Sequence, residues 1–407
     1  MSHVDVLIIT ALPEEFDAAQ RAANGVTAWR EHDTGGPRPY LTGEFRTGSG
    51  AVLSVALARP TSMGPRPLGP FATTLTNLLR PTCLAMCGVC AGSPDDTAPG
   101  DVVVAQRVYE HDAGKWTAGV FRADHEKYRQ QNPWVRAAQD FDPDGLPSYG
   151  RAAAAEAGIW YLERLYRGQN PRAHPAFPRY FPRGTWTAVR DDLASRGLIF
   201  RRDVDFELTD DGRLFIARVL ADDVDGPDKL PFAVLTGPMA SGNAVIQDEK
   251  IWDRLKDLGE RKILALEMEG ATIATVADDL DVPHWLVAKG VMDNADLAKD
   301  DRFKEFAARA SAEVLFALLA RLLPGPGPAR PEMTSGAVRL RIIQRLGPDW
   351  QSLADLAGVQ PYERAAFPRG DEPRRTLEWL ELRARSGELP ELLTAIGRSD
   401  LASLIRR

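Results

Sequence analysis

The chain has 407 residues, with 50 Lys and Arg against 57 Asp and Glu, a net charge of -7. This balance gives no bulk attraction to nucleic acid or to an anionic membrane. The length predicts two or three domains. No apolar run reaches membrane-spanning length, and the amino terminus lacks the basic region and cleavage site of a signal peptide, so a cytoplasmic protein is expected.

In chain order, the run from Val4 to Thr10 reads as an opening parallel strand, and Leu12-Pro-Glu-Glu-Phe turns it into a helix with Glu14 and Glu15 in the first turn. Charge complementing the helix dipole is one reading of that pair. Strand-like runs follow at Ala51 to Ala58, Thr82 to Met86 and Asp101 to Ala105, with a helix from Phe71 to Leu79. Such alternation argues for an α/β domain with a mixed, mostly parallel central sheet flanked by helices. Cys87-Gly-Val-Cys-Ala-Gly reads as a glycine turn. Its Cys-x-x-Cys spacing raises zinc or a redox pair. No second Cys/His pair stands at ligand spacing, so no metal and no cofactor are expected, and the three cysteines read as small buried hydrophobes.

The alternation stops near Phe121 and resumes at Pro231, which predicts one discontinuous domain, 1–120 with 230–324, interrupted by an insert at 121–229. Within the insert, Thr185 to Arg196 reads as a helix, and Phe206 to Ile216 resembles the wing and following helix of a winged-helix module. Arg190, Arg196, Arg201 and Arg202 are available for phosphates, but Asp191, Asp192, Asp203, Asp205, Asp210 and Asp211 offset them. A lid or protein contact is therefore expected rather than a DNA reader. The segment from Asn170 to Arg183, rich in Pro and aromatics, reads as an irregular loop. After the insert come a helix (Ile251 to Leu258), a strand (Ile263 to Leu266), the island Leu-Glu-Met-Glu-Gly at 266–270, a helix (Gly270 to Asp278), a buried strand from His284 to Met292 ended by Asp293, and an amphipathic helix from Arg302 to Leu323. Pro and Gly alternate at 324–331 and can continue neither helix nor strand, so 325–334 reads as a linker. Residues 335–407 show helical periodicity with short turns.

Four motifs in this order, the Ala-x-x-Glu-Glu turn, the glycine turn with Pro99-Gly-Asp-Val after it, Glu267-Met-Glu and Asp293, resemble the nucleoside phosphorylase and nucleosidase superfamily, especially the methylthioadenosine/S-adenosylhomocysteine nucleosidases. The resemblance implies a phosphorylase/hydrolase-like fold and cleavage of a purine–ribose bond. It implies Asp293 as the acid toward purine N7, Glu15 as the base toward water, Glu269 on the ribose hydroxyls and Met268 on the sugar face. Gly88, Val89 and Cys90 would border the substrate. The family's base-stacking aromatic aligns here with Ala240, beside Met239, so Met239 or an insert residue would have to stack on the base. Lys289 stands where those nucleosidases have Arg; with Lys115 it is an alternative partner for a 5'-phosphate. No Arg adjoins Gly88 or the first turn, which favours hydrolysis over phosphorolysis.

The segments around Leu346-Gly-Pro-Asp-Trp, Arg375-Thr-Leu-Glu-Trp and Leu392-Leu-Thr-Ala-Ile-Gly-Arg resemble helices of a death-fold adaptor, with Trp350 and Trp379 as core residues. Such death-like, effector-associated domains join bacterial effectors to protein partners, so the chain is expected to be a nucleosidase effector in antiviral defence or conflict, with homotypic contacts through 335–407 and a homo-oligomeric state. A nucleotide-sensing adaptor without turnover is the alternative.

Overall fold

The computed structural model describes residues 3–33, 38–48, 50–222, 226–296, 301–323, 336–383 and 385–405. It divides into two compact units, Met1–Gly325 and Pro326–Arg407. The expected linker at 325–334 lies outside the described residues.

The first unit opens with β1 (Val6–Ile9), α1 (Pro13–Arg21), β2 (Trp29–His32), β3 (Tyr40–Arg46), β4 (Val52–Ala58), α2 (Pro65–Leu79), β5 (Cys83–Gly92) and β6 (Val102–Glu110). An exposed hairpin of β7 (Gly114–Thr117) and β8 (Val120–Ala123) follows, then β9 (Lys127–Arg129) and α3 (Asn132–Gln139). Next come α4 (Ala154–Tyr166), α5 (Phe177–Tyr180), α6 (Thr185–Ser195), the hairpin β10 (Ile199–Arg202) and β11 (Asp205–Leu208), and α7 (Asp210–Asp222). The unit closes with β12 (Val234–Ser241), α8 (Ile251–Asp257), β13 (Ala265–Glu267), α9 (Gly270–Asp279), β14 (His284–Asp293) and α10 (Lys304–Leu322).

The main sheet is mixed α/β, with strand order β13-β12-β6-β14-β5-β1-β4-β3-β2. Parallel pairing joins β4, β1, β5 and β14, and again β6, β12 and β13, while β14 runs antiparallel to β6. β13 also pairs antiparallel with β5 through Ala265 and Leu266, so five strands close on themselves at this end. Successive residues of a strand face opposite sides. Val6, Ile8, Cys83, Ala85 and Cys87 therefore enter the core layer with α1, α3 and α10, and Leu7, Ile9, Leu84, Met86 and Cys90 the layer with α2 and α9. Cys87 and Cys90 thus sit on opposite faces of β5, which excludes the redox pair between them. All three thiols are buried, and burial pushes the Cys87 thiol up to about 12.

The 121–229 stretch contains more order than its composition suggests. β9 pairs with β6, and Trp134, Ala137 and Ala138 of α3 join the core under the sheet. Asn170 to Arg183 is largely irregular, but its aromatics are packed: Tyr180 stacks on Trp160 at 4.7 Å, and Phe177 meets Phe181 at 4.8 Å. α6, the β10–β11 hairpin and α7 follow one another in helix–hairpin–helix order. Their arginines are engaged locally, Arg190 by Asp191 (2.7 Å), Arg196 by Asp192 (3.3 Å) and Arg202 by Glu207 (3.1 Å).

The second unit is a helical bundle: α11 (Gly336–Leu346), α12 (Trp350–Ala357), α13 (Pro361–Ala365), α14 (Glu372–Leu382), α15 (Leu389–Ala395) and α16 (Ser399–Ile405). Ile342, Leu353, Leu377, Leu380, Leu393 and Leu401 form its own core, with Trp379 buried and Trp350 packed half-buried against it. Among the described residues no helix is long and apolar enough to cross a membrane.

Candidate active site

Parallel strands end together, and open α/β sheets carry ligand sites beyond those carboxyl ends. Here the parallel strands β1, β5 and β14 lead into Glu15, into Val89, Cys90 and Ala91, and into Asp293. β13, antiparallel to β5, pairs Ala265 and Leu266 with Gly92 and Ala91 and so brings Glu267 to the same place. These three carboxylates, with Val89, Cys90 and Ala91, line one cavity of about 230 Å³, with Ala11, Leu12, Met63, Ala244, Val245, Ile246, Leu266, Met268, Glu269, Met292, Asp301 and Lys304 completing its wall.

Glu15 is 2% exposed and clamped by three backbone donors. Its Oε2 accepts from Ala11 N (2.8 Å) and Leu12 N (2.9 Å), and its Oε1 from Val89 N (2.8 Å). The segment expected as a glycine turn is instead part of the continuous strand β5, and glycine is required at 88 because a Cβ there would lie 2.2 Å from Glu15 Oε1. Gly88 therefore acts by leaving room rather than by lining the cavity, and its N–H donates to Ser311 Oγ at 3.1 Å.

Glu267 and Glu269 divide two tasks. Glu267 is consumed by structure: Oε2 accepts from Glu269 N (2.9 Å) and Gly270 N (2.8 Å), Ser241 Oγ donates to Oε1, and Ser241 Oγ in turn accepts from Ala271 N (2.8 Å). Together they satisfy the first N–H groups of α9. Glu269 keeps capacity facing the cavity. Its Oε1 accepts from Gly64 N at 2.8 Å, and its Oε2 lies 3.5 Å from Lys289 Nζ. Burial pushes the Glu269 carboxyl up to about 7; Lys289 pulls it down, Glu267 and Glu15 push it further up, and the Gly64 N–H opposes them.

Lys289 is fully buried beneath this ring, 3.6 Å from Glu267 Oε2. Burial disfavours its ammonium, but Glu15, Glu269 and Glu267 outweigh that and hold it above the ordinary lysine value. It is a counter-ion to carboxylates, so the alternative in which Lys289 and Lys115 meet a 5'-phosphate does not fit: Lys115 stands on the exposed β7–β8 hairpin. Among the described lining residues the cation is Lys304, whose Nζ donates to Glu14 Oε1 at 3.0 Å.

Asp293 accepts at Oδ1 from Ala295 N, 2.9 Å away. Met239 and Ala240 do not reach the cavity. Both are fully buried inside β12, in register with Ala265 and Leu266, and pack into two different core clusters. The wall after β12 is made instead by Ala244, Val245 and Ile246, in a loop pinned where Asp112 Oδ2 accepts from Asn243 N (3.0 Å) and Nδ2 (2.9 Å). The apolar triplet after Ser-Gly-Asn, in an otherwise polar loop, is the signal that marks it. No aromatic ring and no arginine stands among the described lining residues. Among the described residues no group of three His, Cys, Asp or Glu is placed to hold a metal ion.

A mixed α/β sheet with a carboxylate-rich cavity at its strand ends defines the class of the first unit. Residues 5–170 match the family model described as the phosphorylase superfamily, and residues 336–407 match that of bacterial death-like domain 3, so the chain joins a phosphorylase-superfamily segment to a bacterial death-like domain. The protein of Sinorhizobium fredii (strain NBRC 101917 / NGR234) named "Uncharacterized protein y4jS" is 25% identical over 322 residues, covering 78% of this chain; the chain spans 62% of that relative's length. Among solved structures, the methylthioadenosine/S-adenosylhomocysteine nucleosidase of Colwellia psychrerythraea 34H with adenine is 15% identical (79% of this chain, 96% of that one, TM-score 0.47). The S-adenosylhomocysteine nucleosidase of Streptococcus pyogenes is 19% identical (80% and 99%, TM-score 0.46), and the futalosine hydrolase of Helicobacter pylori strain 26695 is 17% identical (78% and 97%, TM-score 0.43).

Proposed function

We propose that the first unit is an N-glycosidase that hydrolyses the purine–ribose bond of a nucleoside or nucleotide, adenine type first, and that the death-like domain recruits it as an effector in a bacterial defence system. The observation that carries this reading is the convergence of Glu15, Glu269, Met268 and Asp293 on one cavity from three separate strand ends. Cleavage develops positive charge on the ribose and negative charge on the base, and a cavity must meet both. Asp293 gives its proton to N7, Glu15 takes one from the water that attacks C1', and Glu269 accepts from the ribose hydroxyls. Ribose and free base leave, and each proton step supplies about 10²- to 10⁴-fold. A wall with acids and no described arginine suits water better than phosphate. The aliphatic wall of Val245, Ile246 and methionines, lacking a ring to stack on the base, favours the second reading, a ligand sensor without turnover.

One assay separates these. Full-length protein is incubated with adenosine, methylthioadenosine, AMP, ATP, inosine and guanosine, with and without phosphate, and free base is measured. Base release without phosphate supports hydrolysis, a strict need for phosphate makes it a phosphorylase, and ligand binding without release makes it a sensor.

Glu269 gives a pH signature. With its carboxyl near 7 in the empty cavity, it is mostly protonated at pH 6, whereas ribose hydroxyls donate to the ionised form. Binding should therefore release about one proton below pH 7, and affinity should rise up to about tenfold per pH unit until pH 7. Calorimetry of adenosine binding in buffers of different ionisation enthalpy measures this. Flat affinity with no proton release from pH 5.5 to 8 removes Glu269 as the ribose anchor.

The separate cores of the two units predict that removing residues 336–407 leaves the first unit folded, with base release unchanged within about twofold at equal concentration. Clustering by the tail would then act through effective concentration rather than through the cavity. A folded truncation that releases no base would show the tail to be part of the catalytic unit.

A further inference from the structure

The 121–229 stretch has no part in the chemistry above, yet its helix α4 grips the segment that carries Asp293. Glu156, Glu163 and the C-cap residue Arg167 recur at seven and four residues, which places them on one stripe of the helix. Glu163 is 2% exposed and its Oε1 accepts from Arg164 Nη2 and Arg167 Nε, both at 2.9 Å. Arg167 Nη1 then reaches Asp296 Oδ2, three residues beyond Asp293. Glu156 Oε2 accepts from Arg302 Nη2 at 2.7 Å, beside the rim residues Asp301 and Lys304. Arg179 adds a bond to Asp101 Oδ2 at 2.9 Å, and the Asp101 carbonyl accepts from Val291 N at 2.7 Å, two residues before Asp293.

What these bonds hold is strained. Ala295 has φ +58, a left-handed conformation that costs a non-glycine residue free energy and persists only where its surroundings impose it. Its N–H is the one that orients Asp293 Oδ1. On one side Asn294 is fixed by Gly92 O (2.8 Å) and by Trp252 Nε1 (2.9 Å); on the other, Asp296 is fixed by Arg167.

We propose that helix α4 is a positioning element of the site: through Glu163, Arg167 and Asp296 it imposes the turn at Ala295 and so aims the Asp293 carboxylate. The catalytic half rests on the proposed role of Asp293 as acid; the structural half does not. Arg167 touches no reacting atom and is a positioning residue.

Full-length Arg167→Ala, Arg167→Lys and Asp296→Asn proteins test it, with Arg190→Ala as a control in the same stretch. Two readouts are used: amide hydrogen exchange at 291–296, and kcat with KM for adenine release from whichever nucleoside of the panel the wild type cleaves. We expect exchange there to rise about tenfold or more in Arg167→Ala and Asp296→Asn, to recover in part in Arg167→Lys and to stay unchanged in Arg190→Ala. We expect kcat to fall about 10- to 100-fold with KM within about threefold, since a misplacement of about 1 Å suffices for such a loss. Unchanged exchange in correctly melting variants overturns the proposal, whether or not the wild type is active. Faster exchange with unchanged kcat overturns the catalytic half. A wild type that cleaves nothing would defeat the nucleosidase reading, and exchange alone would then decide whether α4 holds the turn.

Discussion

Asp293→Asn should lower base release by about 10²- to 10⁴-fold while leaving the melting temperature almost unchanged. The asparagine carbonyl oxygen can still accept the Ala295 N–H that Asp293 Oδ1 accepts at 2.9 Å, so the turn after β14 survives. What the amide cannot do is transfer a proton to N7. The loss should therefore depend on the leaving group: a riboside whose leaving group departs without protonation, such as p-nitrophenyl riboside, should lose less than about tenfold. Glu15→Gln should slow both substrates alike, because its proton comes from water. Equal losses on the two leaving groups in the Asp293 variant would falsify the assignment of Asp293 as acid and make it a binding group.

The residues proposed for this chemistry were legible because each breaks a local rule. An apolar strand pattern ending in a carboxylate, as at Met292-Asp293 or Leu266-Glu267, marks the carboxyl end of a buried strand. Parallel pairing of β14 with β5 sets Asp293 beside Ala91, and antiparallel pairing of β13 with the end of the same strand brings Glu267 there. Local pattern could not separate Glu267 from Glu269. Their backbone partners do, since Glu267 spends its oxygens on Ser241 Oγ and the N–H groups of Glu269 and Gly270. Met239 and Ala240, which align with the resembled family's stacking position, lie inside β12 because strand pairing carries it on to Ser241, and the cavity wall begins only at Ala244. Lys289 offered two readings in sequence. Its strand runs between β5 and β6, which leaves its ammonium nowhere to go but under the carboxylates. The contact of Arg167 with Asp296, 129 residues apart, has no local signature at all.

The buried charge cluster predicts that Lys289→Met destabilises the first unit strongly and in a pH-dependent way. A methionine fills a similar volume, so packing loss should be modest. Removing the ammonium 3.5 Å from Glu269 and 3.6 Å from Glu267 leaves buried carboxylates uncompensated, a change that costs about 3–5 kcal/mol where they must be ionised. Glu269 sets the sign. Its folded pKa, already about 7 with Lys289 present, lies above the unfolded value, so its contribution is full below the unfolded pKa and is lost as pH rises through the folded one. Without Lys289 that folded pKa moves higher still, and the loss extends above pH 7. Lys289, held above the ordinary lysine value by these carboxylates, stays protonated throughout this range, so the pH dependence follows the carboxylates it compensates. Denaturant unfolding of residues 1–325 should therefore show the variant nearest the wild type at pH 5 and about 3–5 kcal/mol less stable at pH 8. Equal destabilisation at both pH values would mean that Lys289 acts by packing rather than by compensating the Glu269 carboxylate.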